Sequence, residues 1–192
     1  MITADELTAQ LPPPAAVWLA EAREKPLEEV FPAAARAVGR EQLTDGRTVD
    51  QAVRGLLLIE KPAADLLAVY RFGDAAEKQA VLRSLSIAEV AAEVDGSAVD
   101  LLADAIRTND QRLLAAALGE YATQWLPQAA FRQAVLKCVF AGVPLTAVDG
   151  LPARTDDELI RMMKDFAAER TAAGRVIPPD LLPYLSSAVS PS

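Results

Sequence analysis

Apolar residues recur along most of the chain at the spacing of three to four residues that is typical of amphipathic helices. The alternating pattern of a half-buried strand is nearly absent. Capping-box patterns, which mark helix starts, open at Thr3, Thr48, Ser86 and Thr155. These signals predict an all-α chain. The predicted helices span residues 14–25, 27–38, 49–60, 62–72, 75–85, 97–108, 110–124, 127–141, 156–173 and 179–187.

The length and the short links between these helices predict how the chain is organised. A chain of 192 residues is the size of one domain, and short links place neighbouring helices antiparallel. We therefore predict a single all-helical domain over residues 1–192. Its ordered core spans about residues 14–187, and the small, polar C-terminal tail is expected to fray.

Two segments of the chain resemble each other. Residues 74–86 and 128–140 share six identical positions at an offset of 54 residues, and two more positions keep a positive charge. Similarity at a fixed offset in a helical chain favours stacked helical repeats, although HEAT and armadillo units are shorter, at roughly 40–47 residues. The pattern predicts an irregular HEAT/armadillo-like array of about nine or ten helices, with the two repeat helices nearly parallel. Chance similarity in a chain rich in alanine and leucine is the alternative.

The second repeat helix also indicates where the core lies. Phe131, Val135, Cys138 and Val139 form one apolar face at helical spacing, which predicts a helix packed between layers. Burial raises the pKa of a thiol, so Cys138 is interpreted as a small, inert hydrophobic residue. Further residues predicted to lie in the core are Trp18, Leu57, Leu102 and Leu114.

The composition excludes several classes of chemistry. Hydrophobic residues make up 52% of the chain, which rules out a disordered protein. One cysteine and no histidine leave neither a disulfide framework nor the ligands of a structural zinc site, and they exclude nucleophiles activated by histidine. Carboxylate and lysine chemistry remain possible. The sequence assigns no catalytic residue, no metal ligand and no cofactor.

The charge is acidic but unevenly distributed. Nineteen Lys and Arg residues against 27 Asp and Glu give a net charge of −8, which argues against nucleic acid as a partner. Residues 131–175 nevertheless hold seven basic against six acidic residues. A cationic patch there suits a small anion or an acidic partner, and solvated helix faces are the alternative. The acidic start is unlike a signal peptide, and the longest uncharged stretch, residues 7–20, is too short to span a membrane. We expect a cytoplasmic protein without a transmembrane segment.

Seven polar residues form the candidate binding site. Gln79 and Arg83 lie four residues apart on one side of their helix, and the repeat places Gln133 and Lys137 in the same way. Arginines at two helix–helix corners, and Asn109 beside one of these arginines, extend this set. We call the seven residues the cationic strip, and they are Arg71, Gln79, Arg83, Arg107, Asn109, Gln133 and Lys137. The alternative is structural: these cations hold helices together, and Thr108 or Asn109 caps the helix that follows.

Several runs of residues resemble the EboA family, over about residues 16–180. They are Tyr70–Asp74, Gln79–Arg83, Arg107–Asp110, Phe131–Leu145 and Arg170–Arg175. The resemblance implies an all-helical bacterial protein from a secondary-metabolite gene cluster whose other genes encode a UbiA-like membrane prenyltransferase, a TatD-like hydrolase, a sugar-phosphate cyclase and an isomerase-like protein. It also implies a role in metabolite traffic, moving a precursor made in the cytoplasm towards the periplasm. It supplies no catalytic residues.

Two functions follow from these observations. The first is a non-catalytic binding or scaffold protein whose partner is another protein of the pathway, the membrane prenyltransferase being one candidate, or a small anionic metabolite. Such a partner would recruit the protein to the inner face of the membrane. The alternative is a pathway enzyme that acts on a phosphorylated or prenylated small molecule through carboxylate, lysine or tyrosine chemistry. A closed cavity with converging carboxylates favours the enzyme, and an open groove favours the scaffold.

Overall fold

A computed structural model describes residues 1–186, and every regular element in that range is helical. Extended pairing within the range is limited to single bridges, between Ile2 and Ile87 and between Gln42 and Thr48. The prediction of an all-α chain is therefore confirmed. The predicted fraying of the tail falls largely on residues 187–192, which lie outside the described residues.

The helices are shorter and more numerous than predicted. The α-helices are α1 (Ala4–Thr8), α2 (Pro13–Ala22), α3 (Leu27–Val38), α4 (Val49–Leu57), α5 (Ala63–Phe72), α6 (Ala75–Ser84), α7 (Ala88–Val94), α8 (Val99–Arg107), α9 (Gln111–Ala116), α10 (Glu120–Trp125), α11 (Gln128–Ala141), α12 (Leu151–Arg154), α13 (Asp157–Ala172) and α14 (Leu182–Leu185). Short 3₁₀ segments lie at Asp95–Ala98, Leu145–Ala147 and Pro179–Leu181.

One predicted helix, 110–124, is broken in two. The chain forms α9 and α10 instead, and Gly119 stands at the N-cap of α10. The Asp149 backbone N–H donates to the Leu118 carbonyl at 2.9 Å, so a distant loop bonds the chain at the break. By contrast, α3 has the predicted bounds even though Pro32 lies inside it.

The N-terminal segment, which precedes the predicted start of the ordered core at about residue 14, forms a short helix and contributes a buried side chain. Thr3 closes its capping box, since Thr3 N–H donates to Glu6 Oε2 at 2.8 Å and Glu6 N–H donates to Thr3 Oγ1 at 3.2 Å. The short helix that follows places Leu7 in the interior with no exposed surface. A local cap and one buried side chain thus order a segment too short to show helical periodicity.

Two of the predicted caps are displaced by one residue. The N-cap of α7 is Ile87 rather than Ser86, and the Glu89 carboxylate accepts a hydrogen bond from Ala4 N–H at 2.9 Å. The N-cap of α13 is Asp156, whose carboxylate accepts from the backbone of the first turn, while the Thr155 hydroxyl donates to a preceding carbonyl. At α13 the Asp156 carboxylate caps the helix in place of the predicted Thr155 hydroxyl. At α7 the Glu89 carboxylate, which the pattern pairs with Ser86, accepts instead from the distant Ala4.

The chain divides into two compact units, residues 1–105 and the residues from 106 onward. The first holds 10 basic and 18 acidic residues and carries the whole net charge of −8, and the second is neutral with nine of each. The repeat helices α6 and α11 belong to different units. The single domain and the parallel repeat array stay predictions.

The core of the first unit is built around α4, which packs against α2, α3 and α6. Eight of its nine residues are buried. Gly55 lets α4 approach closely, because a Cβ there would lie 2.6 Å from the Ile87 side chain. The prediction of Leu57 and Leu102 as core residues is confirmed, whereas Trp18 is only half-buried and its prediction as a core residue is wrong.

The core of the second unit is built around α11. Phe131, Val135, Cys138 and Val139 are all buried as predicted, and so is Leu114 of α9. Burial raises the pKa of the Cys138 thiol to about 12, and the nearby Lys137 charge opposes this only weakly. The thiol is therefore protonated and enclosed, in agreement with its interpretation as an inert residue.

Candidate functional site

The first-unit members of the cationic strip lie along α5 and α6. Arg83 Nη1 donates to the Gly46 carbonyl at 3.1 Å, and the Arg83 carbonyl accepts from Arg47 Nη2 at 3.3 Å. Burial is the main cause that lowers the pKa of the Arg83 guanidinium. Gln79 is half-buried and Arg71 is exposed at the end of α5. Arg83 thus connects α6 to the loop that precedes α4.

Of the second-unit members, Arg107 ends α8, Asn109 lies in the link to α9, and Gln133 and Lys137 lie on α11. Lys137 Nζ donates to the Ile106 carbonyl in the last turn of α8, where a cation is favoured by the helix dipole. Arg107, Asn109 and Gln133 have exposed side chains. The predicted cap at Thr108 or Asn109 is wrong, because the Asp110 carboxylate accepts from the first turn of α9.

The cationic strip is therefore divided between the two units, with Arg71, Gln79 and Arg83 in the first and Arg107, Asn109, Gln133 and Lys137 in the second. Arg83 and Lys137 each donate to a backbone carbonyl within their own unit. One hydrogen bond each leaves further N–H groups on both side chains for a ligand. A single continuous strip stays a prediction.

Most cations of the basic segment 131–175 have structural partners. Arg132 donates to the Asp156 carboxylate, with Nη2 at 2.7 Å, and lowers the pKa of Asp156 to about 2. Arg154 donates to the Ala122 and Leu126 carbonyls and stacks on the Phe131 ring at 4.2 Å. These bonds join α10, α11, α12 and α13. They favour the structural reading for this part of the segment.

Two further cations of the segment line a small surface pocket, here called the α11–α13 pocket. Its volume is about 180 Å³. The lining residues are Phe140, Phe166, Glu169, Arg170, Ala173 and Arg175. The sequence analysis did not place a site here. The sequence features that could have indicated this site are the run Arg170–Arg175 and an aromatic residue, Phe140, outside the buried face of α11.

Phe140 and Phe166 form the aromatic wall of the pocket. Their ring centroids are 4.6 Å apart with an interplanar angle of 75°, an edge-to-face pair. Phe166 is buried, whereas Phe140 is 67% exposed. The Arg170 guanidinium lies 5.7 Å from the Phe166 centroid, and its Nε donates to the Val176 carbonyl at 2.7 Å. The pocket thus places a guanidinium, fixed at one of its nitrogens, beside an aromatic pair.

The first unit has an apolar surface groove between α3 and α5, here called the α3–α5 groove, with a volume of about 280 Å³. Its lining residues are Leu27, Glu28, Phe31, Pro32, Asp65, Ala68, Val69, Phe72, Gly73 and Glu77. Phe72 is 84% exposed, and the carboxylates of Glu28, Asp65 and Glu77 belong to the lining. Gly73 is required at the corner, because a Cβ there would lie 2.7 Å from the Val69 carbonyl oxygen. The groove suits an apolar group that carries positive charge.

A second cavity of the first unit, also of about 280 Å³, lies where α2 and α4 end. Arg23, Lys25 and Lys61 contribute positive charge to a lining whose apolar part includes Leu56 and Leu57. Cations near helix C-termini stabilise those helices, which accounts for their position.

Residues 1–186 contain neither a cluster of metal-ligating side chains nor a membrane-spanning helix. No group of three or more His, Cys, Asp or Glu residues in this range is placed to hold a metal ion. None of its helices is long and apolar enough to cross a membrane.

Comparison with known proteins identifies the family. No curated protein and no solved structure matches the sequence. A family model described as "Metabolite traffic protein EboA" matches residues 32–186, which include α4 to α14 and the whole α11–α13 pocket. Because the match covers most of the chain, this protein belongs to the EboA family of metabolite traffic proteins.

Proposed function

We propose that this chain is a non-catalytic binding or scaffold protein of a bacterial secondary-metabolite pathway, and that it assists the movement of a precursor made in the cytoplasm towards the periplasm. The general role in metabolite traffic comes from the family. The observation that carries the binding role is that the α3–α5 groove and the α11–α13 pocket are open surface features, each with one strongly exposed aromatic side chain, Phe72 and Phe140.

The α3–α5 groove supports contact with a partner protein. A surface groove that exposes large apolar side chains marks an interaction site. Phe72 offers an aromatic anchor, and the flanking Glu28 and Asp65 suit a basic, apolar segment of that partner. We propose a pathway protein at the inner face of the membrane as the source of this segment.

The cationic strip remains a proposed contact region for an anionic metabolite or an acidic partner surface. Its exposed members, Arg71, Arg107, Asn109 and Gln133, are the groups through which it would act. Replacing Arg71 and Gln133 together tests the strip without removing a hydrogen bond that stabilises the fold.

The test is a deletion strain of the producing bacterium, complemented with the wild-type gene or with variants. The total amount of the pathway precursor and its distribution between the cytoplasmic and periplasmic fractions are measured by mass spectrometry. The proposal predicts that deletion leaves the total amount of precursor within about twofold and moves the precursor to the cytoplasmic fraction, and that Phe72→Asp reproduces this shift. Val17→Asp, at an exposed apolar residue outside the groove, is the matched control.

The enzyme alternative predicts a different chemical outcome. Loss of an enzyme acting on a phosphorylated or prenylated intermediate would make that intermediate accumulate and remove its product from both fractions. That result would overturn the proposed function, as would an unchanged distribution of the precursor in the deletion strain.

A further inference from the structure

The α11–α13 pocket combines two kinds of recognition that suit one class of small molecule. We propose that it binds the end of a ligand that has a flat, ring-sized apolar body and one phosphate or carboxylate group. The inference rests on the proposed function only in taking that ligand to be a metabolite of the pathway.

The size of the pocket limits the apolar part. An enclosed cavity of roughly 150 Å³ holds benzene, and this pocket has about 180 Å³. Drug-sized ligands occupy pockets of about 300–1,000 Å³. The pocket therefore takes a single ring. The Phe140 ring, exposed over 67% of its surface, offers an apolar face for that group.

The two arginines supply the recognition of the anion. Nε of Arg170 donates to the Val176 carbonyl at 2.7 Å, so the guanidinium is held while its two terminal nitrogens keep their donors. Among the described residues, the Arg175 side chain makes no hydrogen bond or ion pair and is exposed. Arginine forks bind phosphate and carboxylate in bidentate geometry, and such charge-assisted bonds are about twice as strong as neutral ones.

A glycine turn brings the second arginine back to the first. Gly174 has φ +65°, a left-handed conformation that favours glycine, and it follows Ala173, the C-cap of α13. The turn allows Arg175 N–H to donate to the Arg170 carbonyl at 2.8 Å. The two guanidinium groups are therefore placed in one pocket by the backbone rather than by helical spacing.

Glu169 is the one acidic residue in the lining, and its replacement tests whether the pocket prefers an anion or a cation. Its carboxylate repels an anion, so removing its charge should tighten the binding of an anionic ligand and leave a neutral one unaffected. A pocket that selected cations would respond in the opposite direction.

The experiment measures binding of phenyl phosphate and benzoate to the full chain by equilibrium dialysis at low ionic strength. Phenol and inorganic phosphate, which carry only the ring or only the anion, serve as comparison probes, here called the split probes. We expect at least one of the two anionic ring compounds to bind at least tenfold more tightly than either split probe. The comparison of phenyl phosphate with benzoate identifies the anion. Raising the salt concentration should weaken the binding.

Variants then locate the site. Arg175→Gln should weaken binding about tenfold or more, Phe140→Ala should weaken it several-fold, and Glu169→Gln should strengthen it. Two matched controls, Arg36→Gln and Val17→Ala, replace an exposed arginine and an exposed apolar residue outside the pocket and should change the affinity less than twofold. All variants should keep the wild-type circular dichroism spectrum.

Three results would overturn the inference: anionic ring probes that bind no better than phenol or inorganic phosphate, an Arg175→Gln variant that binds normally, or controls that lose as much as the pocket variants. Each of these leaves the traffic role intact, because the fractionation experiment measures precursor movement wherever the metabolite binds. Conversely, a normal distribution of precursor in the deletion strain overturns the proposed function while the dialysis result for the pocket stands.

Discussion

The buried ion pair of α4 is expected to be the most sensitive point of the first unit. Arg54 Nη1 lies 2.7 Å from Asp50 Oδ2, and the two side chains are only 3% and 4% exposed. Arg54 Nε donates to the Phe31 carbonyl at 2.9 Å, and Thr48 Oγ1 donates to Asp50 Oδ1 at 2.6 Å. Each charge is therefore neutralised and hydrogen-bonded inside the core, between α3 and α4.

Removing one partner leaves the other charge buried and uncompensated, which costs about 3–5 kcal/mol in proteins. We expect Asp50→Asn to lower the free energy of unfolding by about 3 kcal/mol, the low end, because its amide oxygen still accepts from Thr48. Arg54→Met should cost about 2 kcal/mol, because the exposed Arg40, with Nε 3.8 Å from Asp50 Oδ2, partly compensates the remaining carboxylate. The double variant should cost less than the sum by about 1.5 kcal/mol or more.

The assay is urea unfolding followed by tryptophan fluorescence in a Trp125→Phe background, where Trp18 is the remaining tryptophan and reports on the first unit. Arg36→Gln, which removes an exposed arginine of α3 in the same unit, is the control and should leave the midpoint nearly unchanged. The reasoning would be refuted if Asp50→Asn lowered the free energy of unfolding by less than about 1 kcal/mol, or if the loss in the double variant equalled the sum of the two single losses.

Four further predictions concern the second unit and the cationic strip. Val135→Ala should lower the free energy of unfolding by about 1–3 kcal/mol in urea titrations. Cys138 of the native protein should react with a bulky thiol reagent far more slowly than Cys138 of the denatured protein, and rapid labelling of the native protein would contradict its burial. The Asp156 pKa is lowered from 3.8 to about 2, so its contribution to stability is present above its unfolded pKa and is lost as the pH falls from about 4 towards 2. Asp156→Asn should reduce the dependence of the free energy of unfolding on pH between about 4 and 2. An unchanged dependence in this range would contradict a stabilising role of the Arg132–Asp156 pair. Arg83→Ala combined with Lys137→Ala should lower the melting temperature by about 2–4 °C per lost bond, and an unchanged value would show that their backbone bonds contribute nothing.

Local signals predicted the elements that depend on local physics. The bounds of α3, α5, α6 and α11 follow from caps and apolar spacing, and they agree with the structure within one residue at either end. The buried face of α11 followed from periodicity alone, since Phe131, Val135 and Cys138 repeat at helical spacing.

The errors arise where distant residues decide the outcome. The break before α10 involves the Asp149 N–H, and the start of α7 involves Glu89, whose partner Ala4 is 85 residues away. Neither contact has a sequence pattern of its own.

The candidate sites show the same limit. The repeat drew attention to Arg83 and Lys137, yet each makes its hydrogen bond to a backbone carbonyl more than 30 residues away, and periodicity does not reveal such partners. The α11–α13 pocket joins Phe140 to Arg170 and Arg175 through the packing of two helices and one glycine turn. The sequence offered those residues only as parts of two separate runs.

Binding without chemical change is the central claim, and one measurement tests it most directly. Purified protein is incubated with a metabolite extract of the deletion strain, separated from unbound molecules, and both fractions are analysed by mass spectrometry. The account predicts that a pathway metabolite is retained in proportion to the protein and is released with its mass unchanged. Conversion of that metabolite to a new mass, or retention of none above the level seen with an unrelated protein, would contradict the account.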